Sequence, residues 1–127
     1  MFFKSSTPDR ATPEGLYDEL NNEFHFDFDP CPLDSKFDGL LQDWGNSNFV
    51  NPPYGKTIPL WLSKGIHEFK KCKTSVFLLP ARTDTKWFHN LALEYATEIR
   101  FLKGRLTFKG CKHPAPFPSI LVIYKGD

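Results

Sequence analysis

Two consecutive prolines interrupt a short apolar segment in Ser47-Asn48-Phe49-Val50-Asn51-Pro52-Pro53-Tyr54-Gly55. Proline lacks a backbone N–H and has a fixed φ, so neither Pro52 nor Pro53 can continue a sheet ladder or sit inside a helix. The segment therefore reads as a strand, Ser47–Val50, that runs straight into a rigid loop. Downstream, Ile58–Phe69 places Leu62, Ile66 and Phe69 at helical spacing, and residues 74–79 form an apolar strand stopped by Pro80. Strand, loop, helix and strand in that order is the unit of a parallel α/β sheet. Asn51 then falls at the carboxyl end of its strand, where open α/β sheets bind their ligands.

The flanking sequence extends this unit. Thr12 is suited to cap a helix opened by Pro13, with Leu16, Tyr17 and Leu20 on one face. Residues 24–29 alternate apolar and polar, the period of a strand with one buried face, and stop at Pro30. A second helix is expected over residues 84–95, with Trp87, Phe88, Leu91 and Tyr95 on one side, followed by strands at 98–103, 105–108 and 119–124. Strands alternating with helices, then strands in succession, predict a mostly parallel α/β sheet with an antiparallel edge strand. The strands before Pro30, Asn51 and Pro80 should be parallel and adjacent, with the Asp29 strand beside the Asn51 strand. Residues 1–11, polar and without periodicity, are expected to form a flexible N-terminal arm. Residues 12–127 are expected to form one domain, since 127 residues at 40% hydrophobic content suit a single core.

Cys31, Cys72 and Cys111 are odd in number and widely spaced, without the C-x-x-C pairs of a structural zinc or redox site, so no metal is expected. They read as free thiols in a reducing compartment. No apolar run approaches membrane-spanning length, and Met1-Phe2-Phe3-Lys4 is too short for a signal-peptide core. The expectation is a soluble cytoplasmic protein. A net charge of +1 conceals an asymmetry: residues 1–63 hold four basic and ten acidic side chains, residues 64–112 eleven basic and four acidic. One side should attract a polyanion, unless the lysines merely solvate a helix face.

Given this chain's composition, Asn-Pro-Pro-Tyr would arise by chance on the order of once in a thousand such chains. The residue types suit methylation of an amino group. An exocyclic amine conjugated to a purine or an amide is a poor nucleophile because its lone pair is delocalised. Two acceptors aimed at its hydrogens, the Asn51 side-chain oxygen and the Pro52 carbonyl, would favour a pyramidal nitrogen able to attack a sulfonium methyl group. Pro53 stiffens the loop, and Tyr54 offers a flat surface for a base taken out of its duplex. The bland alternative is a rigid turn with a packed tyrosine.

In these motifs the chain resembles the phage-type, Dam-like DNA N6-adenine methyltransferases. The resemblance runs from Thr12-Pro13 through Phe28-Asp29-Pro30-Cys31, Asp38-Gly39-Leu40 with Trp44, and Asn51-Pro52-Pro53-Tyr54. It continues through the segment from Leu79-Pro80-Ala81-Arg82 to Trp87, and Gly104-Arg105-Leu106-Thr107-Phe108. It implies a reduced Rossmann-like methyltransferase fold with helices on both faces, a bacterial or phage-infected host cell, and DNA as partner. The implied cofactor is S-adenosyl-L-methionine, held by Thr12, Pro13, Asp29, Pro30, Cys31, Asp38 and Asn51.

Within that scheme Asp29 would accept hydrogen bonds from the cofactor, and Asp38 would contact its adenine amino group, although both also suit ordinary turns. Arg82 and Arg105 are candidates for phosphate contacts or for structural ion pairs, and Lys109, Lys112 and His113 lie in a Pro-rich loop that either touches nucleic acid or is solvated. The glycine-rich turn of ordinary cofactor-binding methyltransferases is absent, Cys31-Pro32-Leu33-Asp34 taking its place. The stretch from Asp29 to Asn51 is also too short for two further strands with helices. A partner chain completing a shortened pocket, an amino methyltransferase acting on RNA or protein, and a non-catalytic nucleic-acid-binding module are the alternatives.

Overall fold

The structure, a computed structural model, describes residues 11–126. Apart from Ala11, the arm expected over residues 1–11 lies outside that range. The elements run α1 (Glu14–Phe24), β1 (Ser47–Val50), α2 (Ile58–Phe69), β2 (Thr74–Pro80), a π-helix (Phe88–Leu93), β3 (Glu98–Phe101) and β4 (Ser119–Tyr124).

The four strands form one sheet in the order β1-β2-β4-β3. Only β1 and β2 are parallel; β4 is antiparallel to both β2 and β3. The sheet is therefore mostly antiparallel, which corrects the expectation of a mostly parallel one. The cause is the place taken by β4. Ser119-Ile120-Leu121-Val122-Ile123-Tyr124 is buried along its whole length, and a strand apolar on both faces belongs in the middle of a sheet. From there it turns two of the three pairings antiparallel.

Alternation along the strands divides the core between two faces. Val50, Phe77, Leu79, Ile120, Val122 and Tyr124 point to one side, against Trp61, Leu62 and Ile66 of α2 and Trp87, Phe88 and Ala92. Phe49, Val76, Leu78, Leu121 and Ile123 point to the other, against Leu20 of α1 and Phe108 and Ala115 of the loop before β4. Helices thus cover both faces.

Three local expectations change. Residues 24–29 form no full strand: α1 continues through Phe24 and is closed by His25 in the left-handed conformation, leaving few residues before Pro30. What survives is a parallel bridge between Phe28 and Asn48, with Phe49 N donating to the Phe28 carbonyl at 3.1 Å. That bridge still holds Asp29 beside the strand leading to Asn51. Residues 105–108 also stay outside the sheet; the loop instead bridges through Lys109 to Ala11. In the helix expected over residues 84–95 the turn widens to a π-helix, with Trp87, Phe88 and Ala92 buried and Tyr95 44% exposed. Thr85 starts this helix, its hydroxyl accepting from Phe88 N at 3.2 Å.

The basic half of the chain also has internal work. Glu68 of α2 is wholly buried, with Lys64, Lys71 and Lys73 at 3.0, 3.2 and 3.2 Å from its carboxylate oxygens. Burial alone would raise the pKa of Glu68, but the three ammonium groups outweigh it and hold the carboxyl at about 2. Arg100 is shared between Glu23 and Glu98.

Candidate methyl-donor pocket

β1 ends at Val50, and the chain turns through Asn51 and a buried Pro52 into the half-buried Pro53 and Tyr54. Asn51 Nδ2 donates to Thr12 Oγ1 at 3.2 Å. Thr12 was expected to cap α1, but Pro13 occupies the cap position with an extended ψ of 135°, and its carbonyl accepts from Tyr17 N at 3.1 Å. The Thr12 hydroxyl is turned toward the loop after β1 instead.

Asp29 stands across from Asn51. Its Oδ1 accepts from Cys31 N at 2.9 Å, closing a tight turn around Pro30. The residue is exposed at the surface, although protein atoms pack closely around its carboxyl group. Desolvation, only partly offset by the Cys31 hydrogen bond, pushes its pKa up to about 6. Beside it the Cys31 thiol is buried, and burial, reinforced by Asp29 and Asp38, pushes it up to about 12. Cys31 is therefore an apolar wall and not a nucleophile at neutral pH.

Thr12, Asp29, Cys31 and Asn51 line one cavity of about 290 Å³, together with Ala11, Glu14, Tyr17, Leu33, Phe49 and Lys109. Glu14 and Tyr17 were not among the expected site residues, although they follow Thr12-Pro13 by a turn or less on α1. Lys109, considered for nucleic acid, lies at this cavity. Pro13 and Pro30 shape the turns beside it. Asp38 is not in the lining: its Oδ1 accepts from Leu40 N at 2.9 Å, forming a turn. The adjacent Gly39 touches the turn that carries Asp29, since a Cβ there would lie 1.9 Å from the Pro30 carbonyl oxygen. Trp44 Nε1 fixes this contact by donating to the Gly39 carbonyl at 2.7 Å.

Tyr54 is not in that lining and packs instead toward the loop before β4. Its hydroxyl donates to the Leu78 carbonyl at 3.3 Å, and its ring meets Phe117 and Phe108 edge-on at 5.7 and 6.4 Å. Arg82 lies over the Phe117 ring at 5.9 Å. Phe108 and Phe117 also line a second cavity of about 570 Å³, with Lys112 and His113 at its edge. Arg82, Lys112 and His113 thus share one aromatic neighbourhood with Tyr54. Arg105 is exposed on the segment between β3 and that loop.

Residues 4–125 match the family described as DNA N-6-adenine-methyltransferase (Dam). The chain belongs to that family. Membership in the Dam family points to DNA adenine methylation, with DNA as the substrate. No curated protein and no solved structure matches the chain. Among the described residues no helix of this Dam-family protein is long and apolar enough to cross a membrane, and no group of His, Cys, Asp and Glu is placed to hold a metal ion.

Proposed function

We propose that the protein transfers a methyl group from S-adenosyl-L-methionine to the exocyclic N6 amino group of adenine in DNA. The observation that carries this reading is the meeting of Thr12, Asp29, Cys31 and Asn51 around one cavity at the carboxyl end of a parallel strand, in a chain of the Dam family. Before folding, these residues are scattered along the chain.

The lining fits such a donor chemically. Glu14 and Asp29 suit its cationic groups, and Tyr17, Leu33 and Phe49 provide apolar surface. At about 290 Å³ the space is at the small end of ligand cavities, roughly 300 to 1,000 Å³, so part of the ligand would extend past the mouth. Bound there, the donor supplies an electrophilic methyl group on a sulfonium.

The chain's own part is to make the amine nucleophilic. The Asn51 side-chain oxygen and the Pro52 carbonyl accept hydrogen bonds from the amino hydrogens, drawing the lone pair onto nitrogen, and the displaced proton leaves to water. Pro53 holds the backbone in place. Tyr54, with Phe117, gives the extruded base an aromatic surface, while Arg82, Arg105, Lys112 and His113 meet phosphates.

The test is calorimetric titration with S-adenosyl-L-methionine beside transfer of labelled methyl to adenine-containing DNA. Asn51→Ala should abolish transfer and leave donor binding in place, because the acceptor is needed mainly as the nitrogen becomes pyramidal. Wild-type protein that binds neither donor nor DNA would exclude the enzymatic reading, and an Asn51→Ala variant with normal turnover would exclude this mechanism.

A further inference from the structure

Among the described residues, three charged side chains line the cavity beside Asn51: Glu14, Asp29 and Lys109. Lys109 is the one cation among them. It arrives from a part of the chain far from the others, and its backbone is fixed there by the antiparallel bridge to Ala11, with Lys109 N donating to the Ala11 carbonyl at 2.9 Å. Its ammonium lies 3.8 Å from the Glu14 carboxylate, and both side chains are largely exposed, at 57% and 77%. An ion pair so long and so wet contributes little to folding. Burial of Phe108 and Ala115 anchors the loop, but stability does not explain why the residue it brings to this rim is a cation.

A ligand does. S-adenosyl-L-methionine carries two positive groups, the sulfonium and the α-ammonium, and one negative group, the α-carboxylate. The cavity presents the complementary set, two carboxylates and one ammonium. We propose that Lys109 and Glu14 form a clamp for the amino-acid end of the methyl donor, Lys109 binding the α-carboxylate and Glu14 the α-ammonium. The assignment rests on the methyl-donor reading and deepens it. Lys109 is then a specificity-determining residue of the donor site, separate from the basic residues that face DNA. Charge-assisted hydrogen bonds to a carboxylate are about twice as strong as neutral ones, so their loss should be readable in affinity.

The experiment compares two uncharged-sulfur ligands by calorimetry. S-adenosylhomocysteine keeps the amino-acid end; 5′-methylthioadenosine lacks it. Lys109→Met and Glu14→Gln should each weaken S-adenosylhomocysteine by about tenfold or more and leave 5′-methylthioadenosine unchanged. Lys109→Arg should restore most of the loss. If wild type binds S-adenosylhomocysteine but 5′-methylthioadenosine too weakly to measure, the amino-acid end carries the affinity, and the two variants must then lose S-adenosylhomocysteine. Equal weakening of both ligands, or no change in S-adenosylhomocysteine, overturns the clamp while the methyl-donor site stands. Wild type that binds neither ligand overturns the donor site itself.

Discussion

Replacing Glu68 by Gln should destabilise the protein in a way that depends on pH. In the wild type the carboxylate is wholly buried and is surrounded by Lys64, Lys71 and Lys73, while Lys73 also donates to the Trp44 carbonyl at 2.7 Å. Glutamine keeps the shape and loses the charge. The carboxyl falls from an ordinary 4.5 to about 2 in the folded protein, a gap worth about 3 kcal/mol. Because the folded value is the lower one, this stabilisation is fully present above about pH 4.5 and disappears as the pH falls through about 2. Lys64 and Lys73 keep side-chain exposures of 15% and 21%, so they can turn partly to water in the variant. The expected cost is therefore about 2 to 3 kcal/mol, below the roughly 3 to 5 kcal/mol of a fully buried broken pair. Urea denaturation of both proteins between pH 7 and pH 2 reads the difference directly. The gap should be widest at neutral pH and close toward pH 2. Equal stabilities at pH 7, or a gap that does not change with pH, would refute the reasoning.

Other consequences concern the donor cavity and its neighbour. The Asp29 carboxyl is raised to about 6, so affinity for a cationic donor should fall as the pH drops through that value, while Asp29→Asn binds more weakly with no such inflection; titrations at pH 5 to 8 would show it. Gly39→Ala would drive a methyl group into the Pro30 carbonyl and displace the turn carrying Asp29, lowering both the melting temperature and donor affinity. Tyr54→Phe loses one hydrogen bond to Leu78 and should cost about 1 kcal/mol of stability with methyl transfer little changed. Tyr54→Ala removes the ring and should cost about 1 to 3 kcal/mol of DNA binding, measured by fluorescence anisotropy.

The sequence was most legible where proline acts. Pro52, Pro53 and Pro80 end β1 and β2 close to where the loss of a backbone donor requires, and α2 follows from the spacing of Leu62 and Ile66. Reading failed where distant partners decide the structure. Residues 24–29 have a strand's alternation, but the same phenylalanines serve equally for a helix end followed by one bridge, Phe24 in α1 and Phe28 on β1. The position of β4 depends on pairing with both β2 and β3, which local pattern does not encode. Its uninterrupted apolar run was nevertheless a sign of a central strand. Charge counts alone also left a structural role unseen, since Lys64, Lys71 and Lys73 answer to a single buried glutamate that sits among them in the sequence. The candidate site was readable as residue types in Asp29 and Asn51; the meeting of Lys109 with Glu14 required the fold.

The middle position of β4 has a consequence for the order in which the molecule can assemble during synthesis. β1, α2 and β2 are consecutive and can close as a unit once Pro80 has emerged, whereas among the described residues β3 pairs only with β4. Until residues 119–124 leave the ribosome, the inner edge of β2 offers unpaired backbone groups and the apolar faces of Val76, Phe77, Leu78 and Leu79 are only half covered. Such edges recruit other chains when they persist. A chain that lacks β4 is therefore the form most prone to aggregate, and released truncations ending between residues 101 and 118 should have the greatest need for a chaperone.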